Sequence, residues 1–114
     1  MDRVLKGRKA EEIAVKFLRK KGYKIVERNW RFKRDEVDII AVDRDGYLCF
    51  VEVRSRSNSE FVLPEETITK EKRKNIIRVA KAYIQKNNID KDVRFDVVSI
   101  LNGEIKLLRD AFRL

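Results

Sequence analysis

The amino-acid sequence predicts an α/β fold: a mixed central sheet flanked by helices, with core elements in the order α-β-β-β-α-β and a short fifth strand at the end. Three observations lead there. Apolar side chains recur at helical spacing over residues 10–18 and again over residues 76–84. Between them, residues 36–43 and 47–54 form two runs that are apolar on both alternating faces, as strands covered on both sides are. A helix standing between two strands of one sheet serves as a crossover, so those strands run parallel while the hairpin before them is antiparallel. The 114 residues suit a single domain, 1–114, and no repeat, low-complexity tract or linker divides them.

The first helix is expected from about Gly7 to Lys21, with Gly22 as its C-terminal cap. Ala10, Ile13, Ala14, Phe17 and Leu18 form its buried stripe. At roughly 100° per residue, Glu11 falls at the edge of that stripe and Glu12 on the solvent side, so Glu11 is the one aimed at the sheet. Tyr23 to about Asn29 reads as a strand. Glu36–Asp43 and Tyr47–Arg54 are the arms of a hairpin closed by Arg44-Asp45-Gly46, a three-residue loop with glycine in the left-handed position. That loop pairs Val42 with Leu48 and Ile40 with Phe50. Continued outward, the register sets Asp38 opposite Glu52 and Glu36 opposite Arg54. Ser55–Glu66 reads as a loop in which Phe61, Leu63 and Pro64 are candidates to cap a site or to meet a second copy in a homodimer. A helix from about Thr69 to Lys86 follows, with Ile76, Ile77, Ala80, Tyr83 and Ile84 as its stripe. Val93–Leu101 is the fourth strand, and Asn102-Gly103 turns into the fifth, Glu104–Leu108, with Ala111 and Phe112 packed on the body.

Composition narrows the chemistry. There is no histidine, which excludes imidazole bases, His-ligated zinc and Ser-His-Asp triads. Cys49 is the one cysteine, set in an apolar strand as a packed thiol, so neither a disulfide framework nor a thiolate cluster is available. No apolar run approaches the roughly 18 residues of a membrane span. The charged N-terminus has no signal-peptide core, and a cytoplasmic protein without a membrane partner is expected. The net charge of +9 is unevenly placed: residues 1–34 carry 13 Lys/Arg against 4 Asp/Glu, residues 35–66 carry 3 against 9, and residues 67–86 carry 7 against 1. An acidic centre between two basic segments suits a metal site facing a polyanion, and equally two solvated helix faces beside an acidic loop.

Asp38 and Glu52 are the leading site candidates. Like charges directly opposite in a sheet destabilise it, and cross-strand neighbours sit about 4.5–5.5 Å apart at Cβ, close enough to share one cation. Magnesium, with its preference for one or two carboxylates plus water or phosphate oxygens, fits such a pair. The competing reading has both carboxylates hydrated, or paired with Arg54 and Lys72, at the open end of the hairpin. Trp30 and Phe32 lie among Arg28, Arg31, Lys33 and Arg34. Aromatics among cations stack on bases in some proteins, whereas burial of a ring under arginine stems is the more frequent arrangement and the one favoured for Trp30. Lys70, Lys72 and Arg73 crowd the start of the second helix, where cations oppose the helix dipole and a phosphate would relieve them. With Arg56, these cations are the candidate nucleic-acid contacts.

Gly7-x3-Glu11-x2-Ala14, Leu18-x3-Gly22-Tyr23, Arg28-Asn29-x-Arg31, Glu36-Val37-Asp38-Ile39-Ile40-Ala41, Phe50-Val51-Glu52-Val53-Arg54-x-Arg56, Lys72, Ala80, Tyr83 and Arg94-Phe95-Asp96-Val97-Val98 together resemble the YraN-like family of predicted endonucleases, over nearly the whole chain. The resemblance implies a restriction-endonuclease-like (PD-(D/E)XK) fold, similar to archaeal Holliday-junction resolvases, and a DNA partner. It implies Glu11 as a helix-borne acid near the metal, Asp38 as central ligand and Glu52 as the acid of the Asp/Glu-x-Lys element. Mg2+ or Mn2+ would be the cofactor of phosphodiester hydrolysis, and Glu36 either holds a metal-bound water or pairs with Arg54. Two positions depart from the pattern. Arg54 stands in place of the motif lysine, keeping positive charge by a phosphate but unable to give up a proton readily. Asp35 stands where the family usually has glycine. Three readings remain open: a magnesium-dependent endonuclease, a nucleic-acid-binding module of the same fold that has lost hydrolysis, and a basic adaptor for an acidic protein.

Overall fold

The computed structural model describes residues 3–56 and 68–114, with side chains from residue 7 onward. Two helices and five strands follow the expected order: α1 (Arg3–Lys20), β1 (Lys24–Phe32), β2 (Asp35–Val42), β3 (Leu48–Arg56), α2 (Lys70–Lys86), β4 (Val93–Leu101) and β5 (Glu104–Phe112). The strands form one mixed sheet in the order β1-β2-β3-β4-β5, parallel only between β3 and β4. No helix among the described residues is long and apolar enough to cross a membrane. Phe61, Leu63 and Pro64 lie outside the described residues.

Local signals set most boundaries. α1 ends where Gly22, at φ +92°, lets the Gly22 N–H reach the Arg19 carbonyl and the Tyr23 N–H reach the Leu18 carbonyl, both at 3.0 Å. A Cβ at Gly22 would also collide with the Arg44 side chain. Thr69 caps α2 by accepting the Lys72 N–H at 3.1 Å. In the β2–β3 loop, Asp43 Oδ1 accepts the N–H groups of Asp45 and Tyr47, each at 2.9 Å. Asn102 and Gly103 both adopt positive φ, as a two-residue hairpin turn requires. β1 and β5 run further than expected. β1 continues past Asn29 to Phe32, and the tail is itself strand, pairing Phe112 with Phe95.

Each helix covers one face of the sheet. α2 buries Ile76, Val79, Ala80 and Tyr83 against Val37, Ile40, Phe50 and Phe95. A run of ring contacts crosses that layer, from Trp30 to Tyr83 (5.1 Å), Tyr83 to Phe50 (5.9 Å), Phe50 to Phe95 (5.7 Å) and Phe95 to Phe112 (4.8 Å). Fully burying one such side chain contributes about 1.5–3 kcal/mol. Trp30 is thus an anchor, as its surroundings in the sequence favour. α1 buries Ala10, Ala14, Val15 and Leu18 against Ile39, Ala41, Cys49 and Val51. This stripe is rotated from the expected one: Val15 is buried and Ile13 is exposed. Glu11, one helical turn before Val15, is half-buried beside that face.

Asp96, fully buried on β4, pins one end of the sheet. Arg94 grips it with two hydrogen bonds at 2.9 Å, Tyr23 donates its hydroxyl at 2.9 Å, and the Asp110 backbone N–H donates at 3.0 Å. Arg94 also pairs with Asp43 at 2.8 Å. Burial opposes ionisation of Asp43, but the Tyr47 N–H and Arg94 outweigh it and hold the carboxyl below its ordinary range. The Cys49 thiol is pushed up to about 12, by burial first and then by Asp96, which makes it inert. Removing one partner of a buried ion pair strands the other, so Asp96→Ala is expected to cost about 3–5 kcal/mol. Tyr23→Phe deletes two hydrogen bonds, the one donated to Asp96 and the one accepted from Arg94, and costs about 1–3 kcal/mol. Thermal melts of the two variants check this, and equal Tm values would show that Arg94 finds water or another partner.

Candidate metal and nucleic-acid site

The β2–β3 ladder matches the expected register through Val42–Leu48, Ala41–Cys49, Ile40–Phe50 and Ile39–Val51, and there it stops. Beyond it the strands part. Val37 packs in the same layer as Ile40, while Ile39 lies in the opposite layer, so the alternation of β2 breaks at Asp38. The carboxylate of Asp38 then enters the gap and accepts the Val53 N–H at 2.8 Å, in place of a backbone carbonyl. It also lies beside the Glu52 carboxylate, close enough for each to act on the other's charge. Asp38 and Glu52 are therefore side by side as expected, brought together by side chains across diverging strands rather than by the ladder. The β2–β3 ladder does not reach the expected Glu36–Arg54 position; Glu36 lies opposite Arg31 of β1 and pairs with it at 3.0 Å.

Glu52 is only 5% exposed, and its Oε2 receives no hydrogen bond. Lys72 Nζ stands 3.4 Å away, so the pairing with Lys72 that competed with a metal is present. Burial, then the hydrogen bond and charge of Glu52, push Asp38 up to about 8 against an ordinary 3.8, while the Val53 N–H and Lys72 oppose the shift. Two like charges at this distance cannot both ionise cheaply, and a proton shared between them is one answer. The Lys72 ammonium at Glu52 is a second, and a divalent cation would be a third. Two carboxylates fit magnesium, which completes its octahedron with water.

Glu11 stands off from this pair. Burial first, and next the charge of Asp38, raise its pKa, while hydrogen bonding to Asn29 and the charge of Arg28 lower it. Among the described residues no three His, Cys, Asp or Glu side chains gather closely enough to hold a metal, so Asp38, Glu52 and Glu11 do not form a closed three-acid cage. Glu11 and Asp38 instead line one cleft of about 570 Å3 with Gly7, Ala10, Val53, Arg54 and Ser55. Asp38 also lines a second cleft, of about 230 Å3, with Arg34, Asp35, Glu36, Lys72, Asn75 and Ile76. It is reached from both helical layers.

The basic residues divide. Arg54 and Arg34 line the two clefts, and Lys72 contacts Glu52. Arg28 pairs with Glu12 at 2.7 Å, Lys33 lies over Phe32, and Arg73 lies over Phe112. Lys70 is exposed at the start of α2, and Arg56 is exposed at the end of β3. Asp35, the departure at the glycine position, pairs with Arg78 of α2 at 2.9 Å and so ties that helix to β2. Asn29, at φ +53° in β1, has a signal in the sequence: an asparagine, poor in strands and tolerant of left-handed backbone, within a strand-like run.

Fold and paired carboxylates define an α/β domain with a buried acidic centre where two central strands part. The chain belongs to the Uncharacterised protein family UPF0102, whose family model matches residues 10–100. A UPF0102 protein of Persephonella marina is 44% identical over 111 residues, covering 96% of this chain and 95% of that protein. One from Clostridioides difficile is 46% identical over 110 residues, covering 94% and 96%. Among solved structures, the chain is similar to Pyrococcus furiosus SfsA, determined in complex with Ca2+, at 17% identity and a TM-score of 0.36. That alignment covers 99% of this chain and 66% of SfsA, so the chain spans just under two thirds of its length.

The folded state binds the Asp38 proton more tightly than the unfolded chain does. The stability this contributes is complete below the unfolded value of 3.8 and is lost as pH rises toward about 8. Asparagine has no proton to lose. In metal-free buffer, Asp38→Asn should therefore melt above wild type at pH 8, with a gap that narrows by up to about 1.4 kcal/mol per unit as pH falls toward the unfolded value. A Tm difference independent of pH would show that Asp38 is not the titrating group.

Proposed function

We propose that this chain is a nucleic-acid-binding protein of the restriction-endonuclease-like fold that hydrolyses DNA phosphodiesters with magnesium or manganese in the cytoplasm. The observation that supports this best is the buried Glu52 beside Asp38 at an open cleft, two carboxylates of which Lys72 pairs with Glu52 alone. Asp38 and Glu52 are the residues that would hold the metal, with Glu11 facing it across the cleft. When bound, the ion supplies positive charge at a phosphate oxygen and a water of lowered pKa. Arg54, in the same cleft, presents a guanidinium to a phosphate, and Arg34 and Lys72 offer cations on the other side of Asp38. The low exposure of Glu52 strengthens each of these charge interactions relative to water.

A second reading is a module that binds nucleic acid without cutting it. It draws on Arg54, which cannot orient water through an exchangeable amine, and on Lys72, which already neutralises Glu52.

Linear, single-stranded, flap and four-way DNA incubated with Mg2+ or Mn2+ distinguish the two. Glu52→Ala is expected to slow cleavage by about 10²-fold or more, the scale of losing a group that stabilises developing charge. Cleavage that survives Glu52→Ala would remove the catalytic assignment. Activity that appears only in Arg54→Lys would establish the binding module. In either case affinity should fall steeply with salt as phosphate contacts release counterions, and a salt-independent or absent affinity would favour the adaptor.

A further inference from the structure

Beside its buried stripe, α2 carries a second ordered face. Arg78, Lys81, Ala82, Gln85 and Lys86 follow the i, i+3, i+4, i+7, i+8 spacing of one helix side. With Phe32 of β1 they line a cleft of about 340 Å3. Among the described residues that lining holds three cations and no carboxylate. Phe32 and Ala82 are half-buried whereas the cations are exposed, which gives the cleft an apolar floor and a charged rim. The exposed Lys33 holds its ammonium over the Phe32 ring, 5.4 Å from the centroid, so that face of the ring looks outward. The cleft also adjoins the acidic centre. Arg78 donates to Asp35 at 2.9 Å and to Asn75 at 3.4 Å, and both acceptors line the smaller cleft that contains Asp38, Arg34 and Lys72.

We infer that this cleft holds a single strand of DNA beside the acidic centre, with a base stacked on Phe32 and phosphates at Lys81 and Lys86. The inference rests on the nucleic-acid reading above and names the form of its ligand. A duplex keeps its bases stacked within, so an aromatic floor would meet none of them. An unpaired strand offers bases and phosphates together. Arg78 to Lys86 spans about 12 Å of helix, and phosphates recur about every 3.4 Å along a strand of DNA, so the rim has the reach of about three of them.

The test is fluorescence anisotropy of a labelled oligothymidylate, and of a labelled duplex of the same length, with the full chain in EDTA, so that binding is read without metal or cleavage. Lys81→Ala/Lys86→Ala is expected to weaken the single strand about 10-fold or more at about 0.1 M salt. It should also flatten the slope of log affinity against log salt by about 1.4, at about 0.7 per phosphate contact. Lys20→Ala/Lys106→Ala removes the same charge from the end of α1 and from β5, and should weaken binding far less. Phe32→Leu is expected to lose about 5-fold or more, while Phe32→Tyr, which keeps an aromatic face, should bind as wild type does. Thermal melts confirm that each variant is folded. Equal weakening by the two lysine pairs overturns the inference, as does equal affinity of Phe32→Leu and Phe32→Tyr, or tighter binding of the duplex than of the single strand. A wild type that binds neither DNA defeats the nucleic-acid reading itself, and the wild-type titrations alone reveal it.

Discussion

The carboxylate of Asp38 occupies the place a backbone carbonyl would take in an unbroken sheet. By accepting the Val53 N–H at 2.8 Å it satisfies the donor that the parting strands would otherwise strand, and so lets β2 and β3 separate without an orphaned group. Nearly everything distinctive about the site follows. The separation ends the ladder at Ile39–Val51, moves Val37 into the other packed layer, and frees Glu36 for Arg31. It also forces two carboxylates together in a place where one of them is almost fully buried.

That placement depends on the opposite end of the sheet being closed. The Asp43 loop, Arg94, Asp96 and Tyr23 join the β2–β3 turn, β4 and the exit of α1 in one hydrogen-bonded unit. β3 lies between the two ends, with α1 and α2 on its two faces, and its apolar residues Phe50 and Val51 belong to different layers. Covering both faces is what excludes water from Glu52 and gives its charge weight.

Much of this was legible in the residues. Gly22, Gly46 and the Asn102-Gly103 pair mark turns because few other residues accept their backbone angles, and the helix between β3 and β4 dictated parallel pairing. Asp38 and Glu52 stood out because carboxylates interrupt runs that are otherwise apolar on both faces. What escaped was non-local. The rotation of α1 that buries Val15 depends on the sheet it meets, not on its own stripe. The register held only as far as Ile39, since alternation assumes that backbone, not a side chain, satisfies the next donor. The Arg94–Asp96 pair shows no role in the sequence, because residues two apart on a strand give no hint of Tyr23, distant by 73 positions.

A sheet fastened at one end and parted at the other is a wedge of fixed aperture. Among the described residues its opening is set by hydrogen-bonded strands and a buried guanidinium. The acidic centre is thereby held in place by the fold itself. Asp38, at the parting, borders one cleft on the α1 side and another on the α2 side, so the acidic centre is approached from two faces of the same sheet.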